Sequence, residues 1–164
     1  MVILIILASI ALAVYLHRPL PTESTHGVVA IQKEIIVVHY PGNTPGKLQR
    51  KAIEIHQQLP DKLKADTLFR ALKDVRCVPI RVRLYDMARG PDGVIYLNVS
   101  REFLERTEPE CEMTMVYCLV NSFLESFRDA KAAQILVEDQ PIYSRSGLLY
   151  LFEPLQFNKE LLED

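Results

Sequence analysis

The histidine and cysteine side chains are the ones most able to do chemistry in this chain, and their spacing matches no familiar site. The sequence contains His17, His26, His39 and His56, together with Cys77, Cys111 and Cys118. No two of these residues are separated by the short spacing that is typical of zinc ligands. His39 and His56 belong to neighbouring predicted β-segments and could face each other, but we interpret them as strand histidines at or near the surface.

The cysteines do not form a predicted disulfide or a catalytic pair. Cys111 and Cys118 are seven residues apart, which on a helix is about 10 Å along the axis and too far for a disulfide. No histidine lies near them in the sequence to act as a base, so we interpret both as buried or half-buried structural residues. Cys77 lies in a loop before Pro79 and would be reactive only if exposed, with Arg76 as its one nearby positive charge.

The sequence contains none of the common catalytic or nucleotide-binding motifs. A Gly-x-Ser-x-Gly elbow and a dinucleotide fingerprint are absent, and Lys47 follows a glycine-rich turn at the wrong spacing for a phosphate loop. The acidic cluster of Glu108, Glu110 and Glu112 has a sufficient role at a helix start, where negative charge interacts favourably with the helix dipole. We therefore predict a protein that is not an enzyme and that has no cofactor and no metal.

The overall charge gives no reason to expect a nucleic-acid partner. The 164 residues carry a formal net charge of −2, with a sequence pI of about 6.1, whereas nucleic-acid-binding domains usually present a basic face. The length suits one domain plus an extension. The hydrophobic fraction of 49% is at the upper end for globular proteins, and the N-terminal residues account for part of it.

The first 16 residues, MVILIILASIALAVYL, form an apolar run that ends at His17, Arg18 and Pro19. A spanning helix needs about 17–25 apolar residues and a signal-peptide core about 7–15, so an uncleaved membrane anchor and a cleaved signal both fit. A buried globular helix is disfavoured because it should have a polar face. No cysteine follows closely, which argues against a lipoprotein anchor. We predict a membrane anchor followed by a linker.

Hydrophobic periodicity predicts the elements that position the remaining residues. Strands are predicted at 34–40, 80–85, 94–99, 133–137 and 147–152, whereas 48–59 fits either a helix or a strand. Helices are predicted at 61–75 and 109–127. The second helix has Thr107 and Glu110 at the spacing of a capping box, Pro109 in its first turn, and one apolar stripe between Met115 and Phe127.

The stretch from Asp92 to Gln140 combines a turn, a strand, the long helix and a further strand. The residues that define this pattern are Asp92, Gly93, Val94, Val99, Ser100, Glu102, Phe103, Val120, Asn121, Ile135, Leu136 and Val137. In them the chain resembles the GerMN domain of sporulation and spore-germination proteins. The sequence departs from the family pattern at Glu138-Asp139-Gln140, where the pattern has Asp-Gly, and in having Cys111 and Cys118 on the helix.

The resemblance covers roughly residues 34–154 and implies that 48–59 pairs with the first strand as a hairpin. The order of elements predicts an α+β fold, with two helices packed on a mostly antiparallel sheet of four to six strands and preceded by an N-terminal hydrophobic helix. The predicted organisation is an anchor or signal sequence at 1–18, a linker at 19–33, a GerMN-like domain at 34–157 and a charged tail at 158–164.

Arg81, Arg83 and Asn121 are the candidate interaction residues. The two arginines form a small basic row on a predicted exposed strand face, which is either solvated or a docking edge for an acidic partner. Asn121 matches the family pattern and, at about 100° per residue, points almost opposite to the apolar stripe of its helix. It is predicted either on a polar outer face or bonded to neighbouring backbone or to a partner subunit.

These features predict a non-enzymatic domain held at the membrane through residues 1–16 and lying outside the cytoplasm, where it assembles with envelope proteins or with itself. The extracytoplasmic location is implied by the resemblance, because family members are typically exported. Arg18, the one basic flank, opposes the positive-inside trend. The resemblance also implies a role in the bacterial cell envelope during sporulation or germination. The alternative is a small-ligand or cell-wall-binding domain, which would need a concave face formed by Tyr85, Tyr96, Tyr143 and Tyr150.

Overall fold

A computed structural model describes residues 33–56, 59–105 and 109–163. The elements in these ranges are β1 (Lys33–Pro41), β2 (Leu48–His56), α1 (Asp61–Asp74), β3 (Leu84–Arg89), β4 (Val94–Val99), α2 (Pro109–Ser126), β5 (Ala132–Val137) and β6 (Gln140–Pro141), with short 3-10 helices at Arg101–Leu104 and Lys159–Leu161. The predicted anchor and Thr107 of the predicted capping box lie outside the described residues. No helix in the described ranges is both long enough and apolar enough to cross a membrane.

The first two strands form an antiparallel hairpin, so the ambiguous segment after residue 48 is a strand. Every residue from Lys33 to Pro41 pairs with one from His56 back to Leu48. The turn between them is closed by a hydrogen bond of 2.8 Å from the Gly42 N–H to the Lys47 carbonyl. His56 pairs with Lys33 and not with His39, so the two histidines do not face each other.

The second sheet has four strands in the order β3–β4–β5–β6. β4 and β5 are parallel, because α2 returns the chain across the sheet, and the other neighbours are antiparallel. The turn before β4 contains Gly93 at a φ of 84°, a conformation that favours glycine. The turn before β6 uses Glu138 and Asp139 at φ values of 49° and 65°, and the Asp139 N–H donates to the Asn98 side-chain oxygen at 2.9 Å. Positive φ at both central residues is what a type I′ turn requires, and Asn98 supports it without glycine.

Helix α2 lies at the centre of the core and contacts β1, α1 and β5. Every residue from Cys118 to Leu124 is buried. Seven consecutive residues complete about two helical turns, so this part of α2 is covered on all sides. The predicted helix is confirmed, but the expectation of a polar outer face is wrong, because β1 and α1 cover the helix as well as β5.

Two predicted strands differ from the structure. The strand expected from residue 80 begins at Leu84, because a turn comes first in which the Val82 N–H donates to the Pro79 carbonyl at 3.0 Å. Residues 147–152 are an irregular segment whose Leu151 N–H donates to the Tyr143 carbonyl at 2.8 Å, rather than to a strand. The fold class is as predicted: α+β, with two helices in the described ranges and a mostly antiparallel four-stranded sheet beside the hairpin.

Candidate interaction site

Arg81 and Arg83 lie in the connection before β3 rather than on a strand face, and both are exposed. The Arg83 N–H donates to Ser100 Oγ at 2.9 Å, and its guanidinium lies 5.5 Å from the centre of the Tyr85 ring. A hydrogen bond from Ser100 holds the pKa of Glu102 below its ordinary value, and the charges of Arg83 and Arg81 act in the same direction. The arginines therefore form a basic patch beside an acidic residue, not a basic row along a strand.

Asn121 is fully buried, so its placement on a polar outer face is wrong. Its Nδ2 donates to the Asn158 carbonyl at 3.0 Å, and its Oδ1 accepts from the Asn158 N–H at 2.9 Å. The interpretation that Asn121 bonds to neighbouring backbone is the one the structure shows. Its side chain joins α2 to the segment at 158–164 that was predicted to be a charged tail.

Two serines of α2 bond to the edge of β1 that β2 does not pair. Ser122 Oγ accepts from the His39 N–H at 2.7 Å, and Ser126 Oγ accepts from the Val37 N–H at 2.9 Å. Helix residues four apart lie on one face, and every second residue of a strand directs its backbone groups to the same edge, so the two spacings match. The sequence does not predict this contact, because serine on a helix is ordinarily interpreted as solvent-facing.

His39 is fully buried, contrary to the prediction of a surface histidine. Its Nε2 lies 2.7 Å from Glu125 Oε2, and its ring meets Phe157 edge-on at 5.7 Å. Burial lowers the pKa of His39, and the opposing effect of the Glu125 carboxylate is smaller. The imidazole is therefore neutral at pH 7, with Nε2–H donating to Glu125. His56 is exposed, as predicted.

The three cysteines differ in exposure: Cys77 and Cys118 are buried, whereas Cys111 is exposed. A hydrogen bond to Cys77, together with burial, raises the pKa of the Cys118 thiol. Cys77 Sγ in turn donates to the His39 carbonyl at 3.3 Å. Cys118 is buried, as predicted, whereas the predicted burial of Cys111 is wrong, and Cys111 is the thiol that a reagent in solution can reach.

An exposed aromatic cluster lies on residues 143–152, here called the aromatic loop. The rings of Tyr143 and Phe152 stack with centres 4.7 Å apart, and Tyr150 lies 6.5 Å and 6.3 Å from them. Tyr143 is 69% exposed, Tyr150 54% and Phe152 39%. Tyr85 and Tyr96 lie on β3 and β4 instead, outside this loop. Contiguous exposed apolar patches of this kind mark interaction sites.

The aromatic loop is fixed to α2 by Glu112, which is fully buried. One Glu112 carboxylate oxygen accepts from the Arg145 N–H at 3.0 Å, and the other accepts from the Ser146 N–H at 3.1 Å and from its hydroxyl. The Arg145 guanidinium donates to the Phe103 and Glu105 carbonyls and lies 4.8 Å from the Phe103 ring centre. Contacts with Glu112 of α2 and with the Phe103 and Glu105 carbonyls therefore hold the aromatic loop in place before any partner binds.

In the ranges 33–56, 59–105 and 109–163, no three His, Cys, Asp or Glu side chains are grouped so as to hold a metal ion.

No protein-family model and no curated protein matches the sequence. Solved structures match the fold. A predicted lipoprotein from Clostridium perfringens is 16% identical with a TM-score of 0.53, over 79% of this chain and 88% of its own. The tandem GerMN domains of the sporulation protein GerM from Bacillus subtilis are 11% identical with a TM-score of 0.56, over 76% of this chain and 46% of theirs. The first GerMN domain of GerM is 10% identical with a TM-score of 0.51, over 76% of this chain and 97% of its own. Identities this low establish the fold alone, and the described domain of this chain has a GerMN-like fold.

Proposed function

We propose that this chain is a non-enzymatic, membrane-anchored domain that lies outside the cytoplasm and assembles with proteins of the bacterial cell envelope. The observation that carries the proposal is the aromatic loop, with three exposed rings on a segment fastened by Glu112 and Arg145. The shared fold with a sporulation protein and with a predicted lipoprotein supports a role in the envelope during sporulation or germination.

A protein partner suits the chemistry of the aromatic loop. Aromatic residues are enriched at the centres of protein interfaces, because each ring provides a large contact area with few rotatable bonds. A loop that is already ordered loses less conformational entropy on binding. The exposed Arg81 and Arg83 would add attraction for an acidic partner and speed its approach.

The N-terminal apolar run would confine this surface to the membrane. Confinement raises the effective concentration of the domain for partners held at the same membrane, so a surface of modest affinity is sufficient. The partner is then either another envelope protein or a second copy of this chain.

Site-specific photocrosslinking in intact cells tests the proposal. A photoreactive amino acid replaces Tyr150 in the full chain, and the matched control replaces Leu63, which is 50% exposed on α1. We expect discrete adducts from position 150 that are absent from position 63 and are lost when Tyr143→Ala is added. An adduct of twice the chain mass identifies self-association. Identical adducts from both positions contradict the proposed surface, and turnover of an envelope substrate contradicts the proposed class.

The location of the domain is tested through Cys111. A membrane-impermeant thiol reagent should label intact cells that carry the wild-type chain and should not label the Cys111→Ser variant. Cys77 is unsuitable as a reporter because it is buried. Labelling only after lysis would place the domain in the cytoplasm if a membrane-permeant thiol reagent labels Cys111 in the intact cells, since that result shows that no bound ligand protects the thiol.

A further inference from the structure

A cavity of about 790 Å³ opens between the β1–β2 turn, the α1–β3 connection and the first turns of α2. Its floor is apolar and includes Cys77, Val78, Met115 and Cys118, none of which is more than 6% exposed. Clefts of this size with a mostly apolar lining are typical small-molecule sites. No residue of the aromatic loop lines the cavity.

The rim of the cavity is positively charged. Among the residues that the structure describes, Lys47, Lys73 and Arg76 line it, against a single acidic residue, Asp74. Lys47 is already engaged, because its ammonium donates to the Glu160 carbonyl at 2.6 Å. Lys73 and Arg76 form no ion pair with an acidic side chain in the described part of the chain. The rim can therefore accept an anionic group.

Arg76 occupies a backbone position where glycine would be more favourable. It follows the last turn of α1 with a φ of 59°. The Arg76 N–H donates to the Lys73 carbonyl and the Cys77 N–H donates to the Leu72 carbonyl, both at 2.9 Å, which is the pattern of a Schellman helix end. Glycine is the usual residue at this place because a side chain is strained in the left-handed region. Replacement of Arg76 by glycine would therefore relieve strain without disturbing the helix end.

Ile80 is an unexplained apolar group at the same cavity. Its side chain is 78% exposed, the largest value for a large hydrophobic residue in the described ranges, and it lines the cavity together with the buried floor. An aliphatic chain lying in the cavity would remove Ile80 from water. The apolar floor and the exposed Ile80 side chain thus both favour a ligand with an aliphatic chain.

We propose that this cavity binds a single-chain anionic amphiphile, whose aliphatic chain lies on the apolar floor and whose carboxylate or phosphate is bound by Arg76 and Lys73. Guanidinium and ammonium groups both form strong charge-assisted hydrogen bonds with either head group. The inference is independent of the proposed assembly function, because it uses none of the residues of the aromatic loop.

Protection of Cys111 is the test, since this thiol is exposed and lines the cavity. The full chain in lipid nanodiscs is alkylated with iodoacetamide in the presence of dodecanoate, dodecyl phosphate or the uncharged dodecanol. We expect dodecanoate or dodecyl phosphate to slow the alkylation of Cys111, and the comparison of the two identifies the head group. Dodecanol should give little protection. No protection by either anion, or equal protection by dodecanol, overturns the proposal.

Substitution of Arg76 separates binding from folding. Arg76→Gly should weaken binding of the anion about tenfold or more, as expected for the loss of one charge-assisted contact. The same change removes backbone strain, so the unfolding temperature should stay the same or rise. Arg76→Lys should retain most of the affinity, and Lys73→Ala, which leaves the helix end intact, should lose part of it. Arg128→Ala is the control, because Arg128 is exposed and does not line the cavity. Unchanged affinity in Arg76→Gly contradicts the assigned site.

Discussion

Asn121 on α2 is joined by a reciprocal pair of hydrogen bonds to Asn158, which precedes the last 3-10 helix. The Asn121 amide donates to the Asn158 carbonyl at 3.0 Å and accepts from its N–H at 2.9 Å. The side chain of Asn158 accepts from the Glu160 N–H at 3.0 Å and so caps the last short helix. One buried amide therefore connects the final segment to the core, in addition to the bridge between Leu162 and Leu48 of β2.

Replacement of Asn121 by alanine should destabilise the domain by roughly 1–3 kcal/mol, because the Asn158 N–H and carbonyl lose their partner in a partly buried place. Urea unfolding of the full chain in mild detergent measures the loss. Asn121→Leu is the matched variant, since it restores the volume but not the hydrogen bonds. If Asn121→Leu is as stable as the wild type, packing and not hydrogen bonding explains the residue.

The sequence predicts where α2 begins and ends, but it does not predict which groups pack around the helix. The apolar spacing from Met115 to Phe127 predicts one buried face, and that face packs as expected. A second buried face contains Asn121 and Ser122, and the spacing of apolar residues in the helix does not predict it. Their partners, Asn158 and the His39 N–H, are 37 and 83 residues away in the sequence. Polar side chains become buried only where such distant groups satisfy them, and periodicity does not contain that information.

Removal of the Ser122 hydroxyl should destabilise the hairpin, because the buried His39 N–H would have no acceptor. We expect Ser122→Ala to lower the free energy of unfolding by roughly 1–3 kcal/mol. The amides of Val37 and His39 should exchange with deuterium faster in the Ser122→Ala, Ser126→Ala double variant. Thr67→Ala is the control, since Thr67 bonds only within α1 and is partly exposed. Unchanged exchange at His39 would mean that the serine does not protect the strand edge.

The irregular segments show the other limit of prediction. The alternation at Ile80, Val82 and Leu84 predicts a strand, yet only Val82 is buried and pairing begins at Leu84. The run from Gly147 to Phe152 has the composition of a strand, but its backbone is bonded through the Gln134 side chain, which donates to the Leu151 carbonyl at 2.8 Å. Local β-propensity does not decide whether a partner strand is available.

Glu112 is expected to control the order of the aromatic loop. Glu112→Ala removes the acceptor for the Arg145 and Ser146 N–H groups, so we expect a loss of about 1.5–3 kcal/mol, the range for hydrogen bonds to a charged group. The amides of Arg145 and Ser146 should exchange faster by mass spectrometry. Glu112→Gln keeps one acceptor oxygen and should be intermediate, and the exposed Glu153→Gln is the control. A loop that stays protected in Glu112→Ala would show that Arg145 alone holds it.

Charge reversal at Arg81 and Arg83 tests the basic patch separately from the fold. Both residues are exposed, so the double variant to glutamate should change the free energy of unfolding by only about 0.5 kcal/mol per site. Recovery of an acidic envelope partner by crosslinking should decrease. Lys51→Glu, an exposed change on β2, is the charge-matched control for a single site. A folded double variant that recovers every wild-type partner removes these arginines from the interface.

His39 makes the stability of the domain depend on pH. Burial lowers the pKa of His39 below the ordinary value of 6.5, while Glu125 opposes this shift and Arg50, 3.3 Å from the other Glu125 oxygen, adds to it. As the pH falls through about 6.5, the unfolded chain takes up a proton at this residue and the folded chain does not. The contribution of neutral His39 to the free energy of unfolding is therefore fully present above about pH 6.5. It is lost as the pH falls towards the pKa of His39 in the folded protein.

The measurement is the free energy of unfolding between pH 7.5 and pH 5. The wild type should lose up to about 1.4 kcal/mol per pH unit in this window from His39, the value for one proton. His39→Gln, which keeps a side-chain N–H for Glu125, should flatten the profile, whereas His56→Gln at an exposed position should not. Asp129, whose pKa is lowered by its hydrogen bond to Arg89, acts only in a more acidic range. An equal slope in the wild type and in His39→Gln would show that another group causes the acid instability.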